Sequence, residues 1–204
     1  MLVTLNQYLF LAINASAHPD TVTVGVADVT ASWLVYAVVL LAPALWVWGR
    51  QSARGALLAT VVGVSLALGL NQLLGLLWYE PRPFMIGLGH TLAFHVVENS
   101  FPSDHATFLW SFGFGLIVTG ATRSWGVLVC LCGLLVAWAR IYLGLHFPID
   151  MATSFFVAIT GGALAQVALP PSQRWLLPVI DHTYEATLRT LHLPPVLFPR
   201  ATGR

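Results

Sequence analysis

The chain has 204 residues, of which 57% are hydrophobic and only 8% are charged. Soluble domains carry about 25% charged residues, so this composition excludes an ordinary soluble domain and predicts an integral membrane protein. The formal net charge is +1 and all nine basic side chains are arginines, so their placement along the chain is more informative than their sum.

The first apolar stretch, residues 2–15, is too short to span a bilayer, which takes roughly 20 apolar residues in a helix. We predict that it lies in the membrane interface or re-enters the membrane partway. Longer apolar stretches follow and predict an all-α fold, a polytopic membrane helix bundle with about five spanning helices. The predicted spans are Val29–Trp48, Gly55–Trp78, Ala106–Ala121, Trp125–Leu143 and Phe147–Leu169.

Two prolines, Pro170 and Pro171, predict the end of the last span, because proline lacks the backbone N–H that continues a helix. Residues 1–171 are therefore expected to form a single membrane-embedded domain. Residues 172–204 are expected to form a cytoplasmic C-terminal tail, in which Val179–Leu191 is predicted to be an amphipathic surface helix.

The arginines predict the orientation of these spans. Cytoplasmic loops carry an excess of basic residues, and with five crossings most of the arginines fall on one side. We expect that side to be cytoplasmic in a bacterial inner membrane, with the N-terminus outside and the C-terminus inside. Arg82 and Arg140 map to the opposite, external end and require another explanation. The arginines on the cytoplasmic side are Arg50, Arg54, Arg123, Arg174, Arg189, Arg200 and Arg204.

Polar residues at the external end indicate a functional site, since ionisable groups at a membrane edge are costly. In the stretch ARIYLGLHFPID, His146 and Asp150 are four residues apart, and they share a helix face if the last span begins near His146. The carboxylate would then hold one imidazole nitrogen and leave the other free as a base or nucleophile. Arg140, six residues upstream, has a guanidinium suited to phosphate oxygens.

A second polar stretch, PSDH, precedes the third predicted span. Ser103 is a suitable N-cap, and Asp104 would lie favourably in the first helical turn. The backbone N–H groups of a helix start favour an anion, and His105 adds a second imidazole. Two histidines, two arginines and a helix start describe phosphoryl transfer without a metal or cofactor. One histidine attacks, and the other protonates the leaving oxygen.

These residues, in this order, resemble the membrane-bound type 2 phosphatidic acid phosphatase superfamily, which shares its site with vanadium haloperoxidases. The stretches PRPF, FPSDHAT and ARIYLG are most similar to the bacitracin-resistance type of undecaprenyl diphosphatase. The motifs that carry the resemblance are Arg82-Pro83, then Pro102-Ser103-Asp104-His105, then Arg140, His146 and Asp150.

The resemblance implies a role for each motif residue. His146 would be the nucleophile that forms a phosphohistidine, Asp150 would orient it, and His105 would be the general acid. The implied reaction converts undecaprenyl diphosphate, a polyprenyl diphosphate lipid of cell-wall synthesis, to undecaprenyl phosphate and inorganic phosphate. The bilayer is the other expected partner, nucleic acid is not one, and the oligomeric state stays open. The residues implied in phosphate binding are Arg82, Arg140, Ser103 and the backbone near Asp104.

The sequence departs from the family's pattern at three positions. Gly75 lies seven residues before the first arginine, where the family often has lysine, and the chain has no lysine to replace it. Asp104 stands in place of a glycine, and Ala139 in place of a serine. A carboxylate so close to a phosphate is unfavourable, so we expect Asp104 to point away, toward an arginine or the helix start.

Other residues and functions stay open. Glu80 is expected either to pair with Arg82 or to be solvated in its loop. Asp28 is expected either to face the site or to lie at a helix start. His90 and His95 are expected to be ordinary loop histidines rather than a gate or metal ligands. Alternative functions are a phosphatase for phosphatidylglycerol phosphate or phosphatidic acid, a lipid phosphotransferase, and a lipid transporter.

Overall fold

The computed structural model describes residues 2–194 and 196–199, without the side chain of Leu2, so Arg200 and Arg204 lie outside the described residues. This part of the chain has no strand beyond one isolated bridge between Pro81 and Asn99. The predicted all-α bundle is therefore confirmed. Its helices are α1 Leu2–Ile13, α2 Thr21–Trp48, α3 Arg54–Leu77, α4 Asp104–Val118, α5 Arg123–Tyr142, α6 Pro148–Pro171 and α7 Leu177–Thr190, with 3-10 turns at Gln51–Ala53 and Pro83–Ile86.

Four helical stretches in the described chain are long and apolar enough to cross a membrane, and they include α2, α3, α5 and α6. The span predicted at Ala106–Ala121 is the shorter helix α4, whose 15 residues rise only about 22 Å. It still runs antiparallel to α3, because the hydroxyls of Thr119, just after α4, and Thr60, near the start of α3, lie 3.3 Å apart.

Helix α4 occupies the centre of the bundle, where Leu109, Phe112 and Leu116 form much of the buried core between α3 and α5. Small residues let the helices approach closely, as is common in membrane bundles. A Cβ atom at Gly63 of α3 would overlap the backbone oxygen of Gly161 in α6. This packing fixes the relative height of the helices and hence of the side chains at their ends.

The prediction that Pro170 and Pro171 end the last helix is wrong. Helix α6 includes both prolines and continues through a π-helical turn, Ser172–Leu176, into α7. Proline has no backbone N–H to donate, and the wider π-helical turn lets the helix continue without those two hydrogen bonds. Tertiary packing holds the extension in place, because Arg54 at the start of α3 donates a 2.7 Å hydrogen bond to Asp181 of α7. Packing here outweighs the local preference of proline.

Candidate active site

A sharp turn between α5 and α6 brings two predicted site residues together. Arg140 lies in the last turn of α5, and its backbone oxygen accepts a 2.9 Å hydrogen bond from the N–H of Leu145. The chain reverses at Gly144, whose φ of 79° favours glycine and where a Cβ would overlap the oxygen of His90. The turn returns His146 to the level of Arg140.

Asp150 holds one nitrogen of His146. Its Oδ2 lies 3.2 Å from Nδ1 of His146 and accepts a 2.9 Å hydrogen bond from the N–H of Phe147. Helix α6 begins at Pro148, so the pair does not share a helix face. Instead, the carboxylate reaches back from the first turn of α6 over the preceding loop. The hydroxyl of Ser100 donates a short hydrogen bond to the same Oδ2.

Two guanidinium groups face the other nitrogen of His146, Nε2. Nη1 of Arg82 lies 3.2 Å from it and Nη2 of Arg140 lies 3.4 Å from it. A guanidinium only donates hydrogen bonds, so Nε2 is the unprotonated acceptor and Nδ1 carries the proton that points to Asp150. The lone pair of Nε2 therefore points to the place where both arginines can hold a phosphoryl group.

Burial keeps this imidazole neutral. It lowers the pKa of His146 well below its ordinary value of 6.5, and the charges of Arg140 and Arg82 lower the pKa further. Burial also lowers the pKa of Arg82, an effect that the nearby carboxylate of Glu98 opposes. A neutral imidazole at physiological pH is the form that a nucleophile requires.

Arg82 is held in place by the loops around it. Nη1 donates to the backbone oxygen of Leu145 at 2.9 Å, and Nη2 forms a 3.0 Å ion pair with Glu98. The amide of Asn99 fastens the same loops together, since its Oδ1 accepts a 2.9 Å hydrogen bond from the N–H of Glu80. The guanidinium is thus oriented before any ligand binds.

A cavity of about 320 Å³ joins these side chains to His105. Arg82, Arg140 and His146 line it from the loop and the α5–α6 turn, and His105 lines it from the first turn of α4. Both predicted histidines and both predicted arginines therefore face one space. Within residues 2–194 and 196–199, no group of three His, Cys, Asp or Glu side chains is placed to hold a metal ion.

Asp104 also lines this cavity, but its carboxylate points toward α3 rather than toward an arginine or the helix start. It accepts hydrogen bonds from the amides of Asn71 at 2.6 Å and Gln72 at 2.9 Å. Thr107 completes the cluster by donating to the amide oxygen of Asn71 at 2.9 Å. Neutral donors therefore satisfy this charge, and the arginines stay available to phosphate.

Ser103 precedes α4 as the predicted N-cap residue, but its hydroxyl makes no capping hydrogen bond. The residue is fully buried, and among the described residues this hydroxyl has no hydrogen-bond partner. Its backbone N–H and backbone oxygen each lie 2.9 Å from the hydroxyl of Ser154 in α6. The side chain of Ser103 is not among those that line the cavity, so a role in phosphate binding stays a prediction.

Neither of the two secondary candidates lines the cavity. Asp28 lies on an exposed face of α2, which begins at Thr21. Glu80 accepts a 3.4 Å hydrogen bond from the indole of Trp78, and the ion pair considered for it with Arg82 is made by Glu98 instead.

Several residues at the site were not predicted. Ser100 contacts both Asp150 and His146, with its hydroxyl 3.2 Å from Nδ1. Asn71 and Gln72 hold Asp104, and two adjacent amides in a largely apolar helix were an available signal, because polar groups in a membrane span need partners. His95 and Glu98 come from a loop whose sequence has no motif. The unpredicted residues are Asn71, Gln72, His95, Glu98, Asn99, Ser100 and Ser154.

Comparison with known proteins identifies the family. The PAP2 superfamily matches residues 55–173 of the chain. The undecaprenyl-diphosphatase BcrC of Bacillus subtilis (strain 168) is 30% identical over 192 residues, which are 94% of this chain and 97% of BcrC. YbjG of Escherichia coli (strain K12), a candidate undecaprenyl-diphosphatase by its name, is 32% identical over 168 residues, 82% of this chain and 84% of YbjG.

Two solved structures share the fold. LpxE of Aquifex aeolicus superposes with a TM-score of 0.58 and 25% identity, over 79% of this chain and 94% of LpxE. The first transmembrane PAP2 type phosphatidylglycerolphosphate phosphatase from Bacillus subtilis superposes with a TM-score of 0.54 and 17% identity, over 85% of this chain and 86% of its own.

The helical bundle and its paired histidines and arginines thus define a multi-pass membrane protein of the phosphatase class. The chain belongs to the PAP2 superfamily, as its motifs predicted.

Proposed function

We propose that this protein hydrolyses undecaprenyl diphosphate to undecaprenyl phosphate and inorganic phosphate, and so returns the carrier lipid to cell-wall synthesis. The observation that carries the proposal is the position of Nε2 of His146, which faces Arg82 at 3.2 Å and Arg140 at 3.4 Å. BcrC and YbjG, whose names include this activity, support the choice of substrate.

In the first step, Nε2 of His146 attacks the terminal phosphorus, and the bond from that phosphorus to the bridging oxygen breaks. Arg82 and Arg140 stabilise the negative charge on the transferring group. Asp150 keeps the proton on Nδ1 and stabilises the positive charge that the ring gains as its N–P bond forms.

His105 serves both halves of the reaction. It gives a proton to the bridging oxygen, so that undecaprenyl phosphate leaves, and then takes a proton from the water that attacks the phosphohistidine. The N–P bond breaks, inorganic phosphate is released and His146 is restored. No metal ion takes part in either step.

A second, mostly apolar cavity of about 360 Å³ provides a place for the first isoprene units of the lipid. It lies between α1, the loop after α3 and the start of α6, and is lined by Val3, Ile86, Phe147 and Ile149. Phe101 lines both this cavity and the phosphate cavity, so the two are neighbours. This arrangement supports a substrate whose tail stays in the membrane.

We also propose that the site faces the periplasm or cell exterior, in a bacterial inner membrane. Arg54 and Arg123 begin α3 and α5, at the end of the bundle remote from His146. A cytoplasmic location for those two arginines follows the positive-inside rule.

The proposal is tested by phosphate release from undecaprenyl diphosphate by the purified protein in detergent with a chelator present. We expect the wild type to release phosphate and His146→Ala to lose at least about a thousandfold in kcat. His105→Ala should lose about a hundredfold or more. His90→Ala is the matched control, because His90 contacts Asn14 through its backbone and does not line the phosphate cavity.

Full activity of His146→Ala, or an absolute need for a divalent metal, would overturn the proposal.

Competition with phosphatidylglycerol phosphate and phosphatidic acid in the same assay distinguishes a diphosphatase from a broader lipid phosphatase. Trapping of labelled phosphate on His146 at low temperature distinguishes an enzyme from a lipid transporter. Transfer of the label to an added lipid alcohol would identify a phosphotransferase.

A further inference from the structure

Three histidines line the phosphate cavity, and the reaction proposed above uses only two of them. The third, His95, belongs to the loop of residues 87–103 between the second 3-10 turn and α4. Its side chain is 19% exposed and lines the cavity beside Arg140. The proposed reaction gives this imidazole no role.

The loop holds His95 in a fixed place. The N–H of Leu92 donates a 3.1 Å hydrogen bond to the oxygen of Leu143, just after α5. The N–H of His90 donates a 2.7 Å hydrogen bond to the side chain of Asn14, just after α1. These two anchors precede His95 by three and five residues, so the imidazole is presented by a tethered backbone.

His95 touches the same arginine as the nucleophile does. Its Nε2 lies 3.3 Å from Nη2 of Arg140, and the same Nη2 lies 3.4 Å from Nε2 of His146. A guanidinium only donates, so Nε2 of His95 is unprotonated in this structure and Nδ1 carries its proton. Nδ1 lies 3.3 Å from the backbone oxygen of Val96, which can accept that proton in a hydrogen bond.

The second phosphate of a diphosphate also needs partners in this cavity. Attack by Nε2 of His146 is in line, so the leaving phosphate lies beyond the terminal one, on the far side from His146. Arg140 lies between His146 and His95, and His105 protonates the leaving oxygen. The position where the family's pattern often has lysine is Gly75, which lines the cavity without offering a charge.

We infer that His95 binds the lipid-linked phosphate of a diphosphate substrate, taking up a proton from solvent and becoming an imidazolium as it does so. This inference rests on the proposed function. The site would distinguish diphosphates from monophosphates, because only a diphosphate offers His95 a second phosphate beyond the one held by Arg82 and Arg140.

The charges around His95 agree with such a change on binding. Burial, and after it the charge of Arg82, lower the pKa of His95 below its ordinary value of 6.5. A diphosphate brings negative charge close to the ring, which raises the pKa and favours the imidazolium. The titratable and charged groups that act on His95 from the surrounding elements are Arg82, Glu98, His105, Arg140 and His146.

The test measures binding rather than turnover, with the full chain in detergent. Methylenediphosphonate, which cannot be hydrolysed between its phosphorus atoms, and orthophosphate are titrated calorimetrically between about pH 6 and pH 8.5. We expect His95→Ala to bind methylenediphosphonate at least about tenfold more weakly and orthophosphate within about twofold of wild type. His95→Lys should keep the preference for the diphosphonate and bind it as well at pH 8.5 as at pH 6, whereas wild type weakens.

The controls separate this inference from other causes. His90→Ala, in the same loop but outside the cavity, should bind both ligands as wild type does. Equal losses for both ligands in His95→Ala, or no loss for either, would overturn the subsite. Lack of phosphate release from undecaprenyl diphosphate by wild type would instead contradict the proposed function. The binding titrations of both ligands do not depend on turnover, so the two failures can be told apart.

Discussion

At the scale of single residues, Glu98 forms an ion pair with Arg82, one of the two arginines that would bind a phosphate. Its carboxylate lies 3.0 Å from Nη2 of Arg82, and its side chain is 51% exposed. Because water solvates the exposed carboxylate, this pair is weaker than a fully buried one. A phosphate that takes the same nitrogen must displace this carboxylate, so Glu98 is a weak internal competitor of the substrate.

Replacing Glu98 with glutamine keeps its shape and removes its charge. We expect Glu98→Gln to bind orthophosphate more tightly, by up to about fivefold, because Arg82 no longer has to leave a carboxylate. The inhibition constant of orthophosphate in the hydrolysis assay measures the change. Glu185→Gln, on the remote helix α7, is the control. Weaker inhibition in Glu98→Gln would show that Glu98 mainly positions Arg82.

The two arginines of the site and His146 were predictable because a charge within an apolar chain needs a reason, whereas Glu98, in a polar loop, was not. Arg82 and Arg140 were conspicuous in this way, as was His146. The neutral residue Ser100 was not, since a serine in a loop is ordinary. Its contact with Asp150 depends on a loop meeting the start of a helix 50 positions later. No local pattern encodes such a meeting.

At the scale of helices, the approach of α3 to α6 positions the site, and Gly63 permits it. We expect Gly63→Ala to destabilise the protein by about 1–3 kcal/mol, because the new methyl group overlaps the backbone of Gly161, which cannot rotate away. Thermal unfolding in detergent measures the loss.

Gly69→Ala is the matched substitution, since it lies in the same helix with no atom within 4 Å of the added Cβ. It should leave stability unchanged or raise it by up to about 1 kcal/mol, because alanine favours a helix. Equal effects of the two substitutions would contradict the packing role of Gly63.

Helix existence was predictable from apolar stretches, but two helix ends were not. The first span was predicted to begin at Val29, whereas α2 begins at Thr21 after the N-cap Asp20, whose side chain accepts a 2.8 Å hydrogen bond from the N–H of Thr23. The charge of Asp28 interrupts the apolar run, but the helix extends past it to the N-cap Asp20. Near the other end of the chain, Pro170 and Pro171 wrongly predicted a helix end, because packing outweighed the local preference of proline.

At the scale of the whole molecule, an anchor lies at the end of α3 opposite the site. Arg54 is almost fully buried and forms a 2.7 Å ion pair with Asp181 of α7. Its guanidinium also lies 4.9 Å from the ring centre of Trp46 in α2 and 5.0 Å from that of Tyr184 in α7. One arginine thus joins α2, α3 and α7.

Asp181→Ala should loosen this anchor. Removing a partner from a buried charged group costs about 1–3 kcal/mol, so we expect a lower unfolding temperature and faster tryptic cleavage near Arg189. Below that temperature, kcat should stay near wild type, since about 25 Å of helix separates Arg54 from Asn71, the first residue of α3 that lines the cavity. Glu185→Ala, which breaks the exposed pair with Arg189, should change stability by less than about 1 kcal/mol. A large loss of kcat in folded Asp181→Ala would contradict this separation.

The position of Phe101, between the phosphate cavity and the apolar cavity, has a consequence for the products. Under the proposed reaction, one product dissolves in water and the other diffuses sideways in the lipid. Their abundances are then counted on different scales, one as a molar concentration and the other as a mole fraction of the bilayer. The reverse reaction requires both products at the same moment, one from each phase. Removal of either product from its own phase therefore draws the hydrolysis forward.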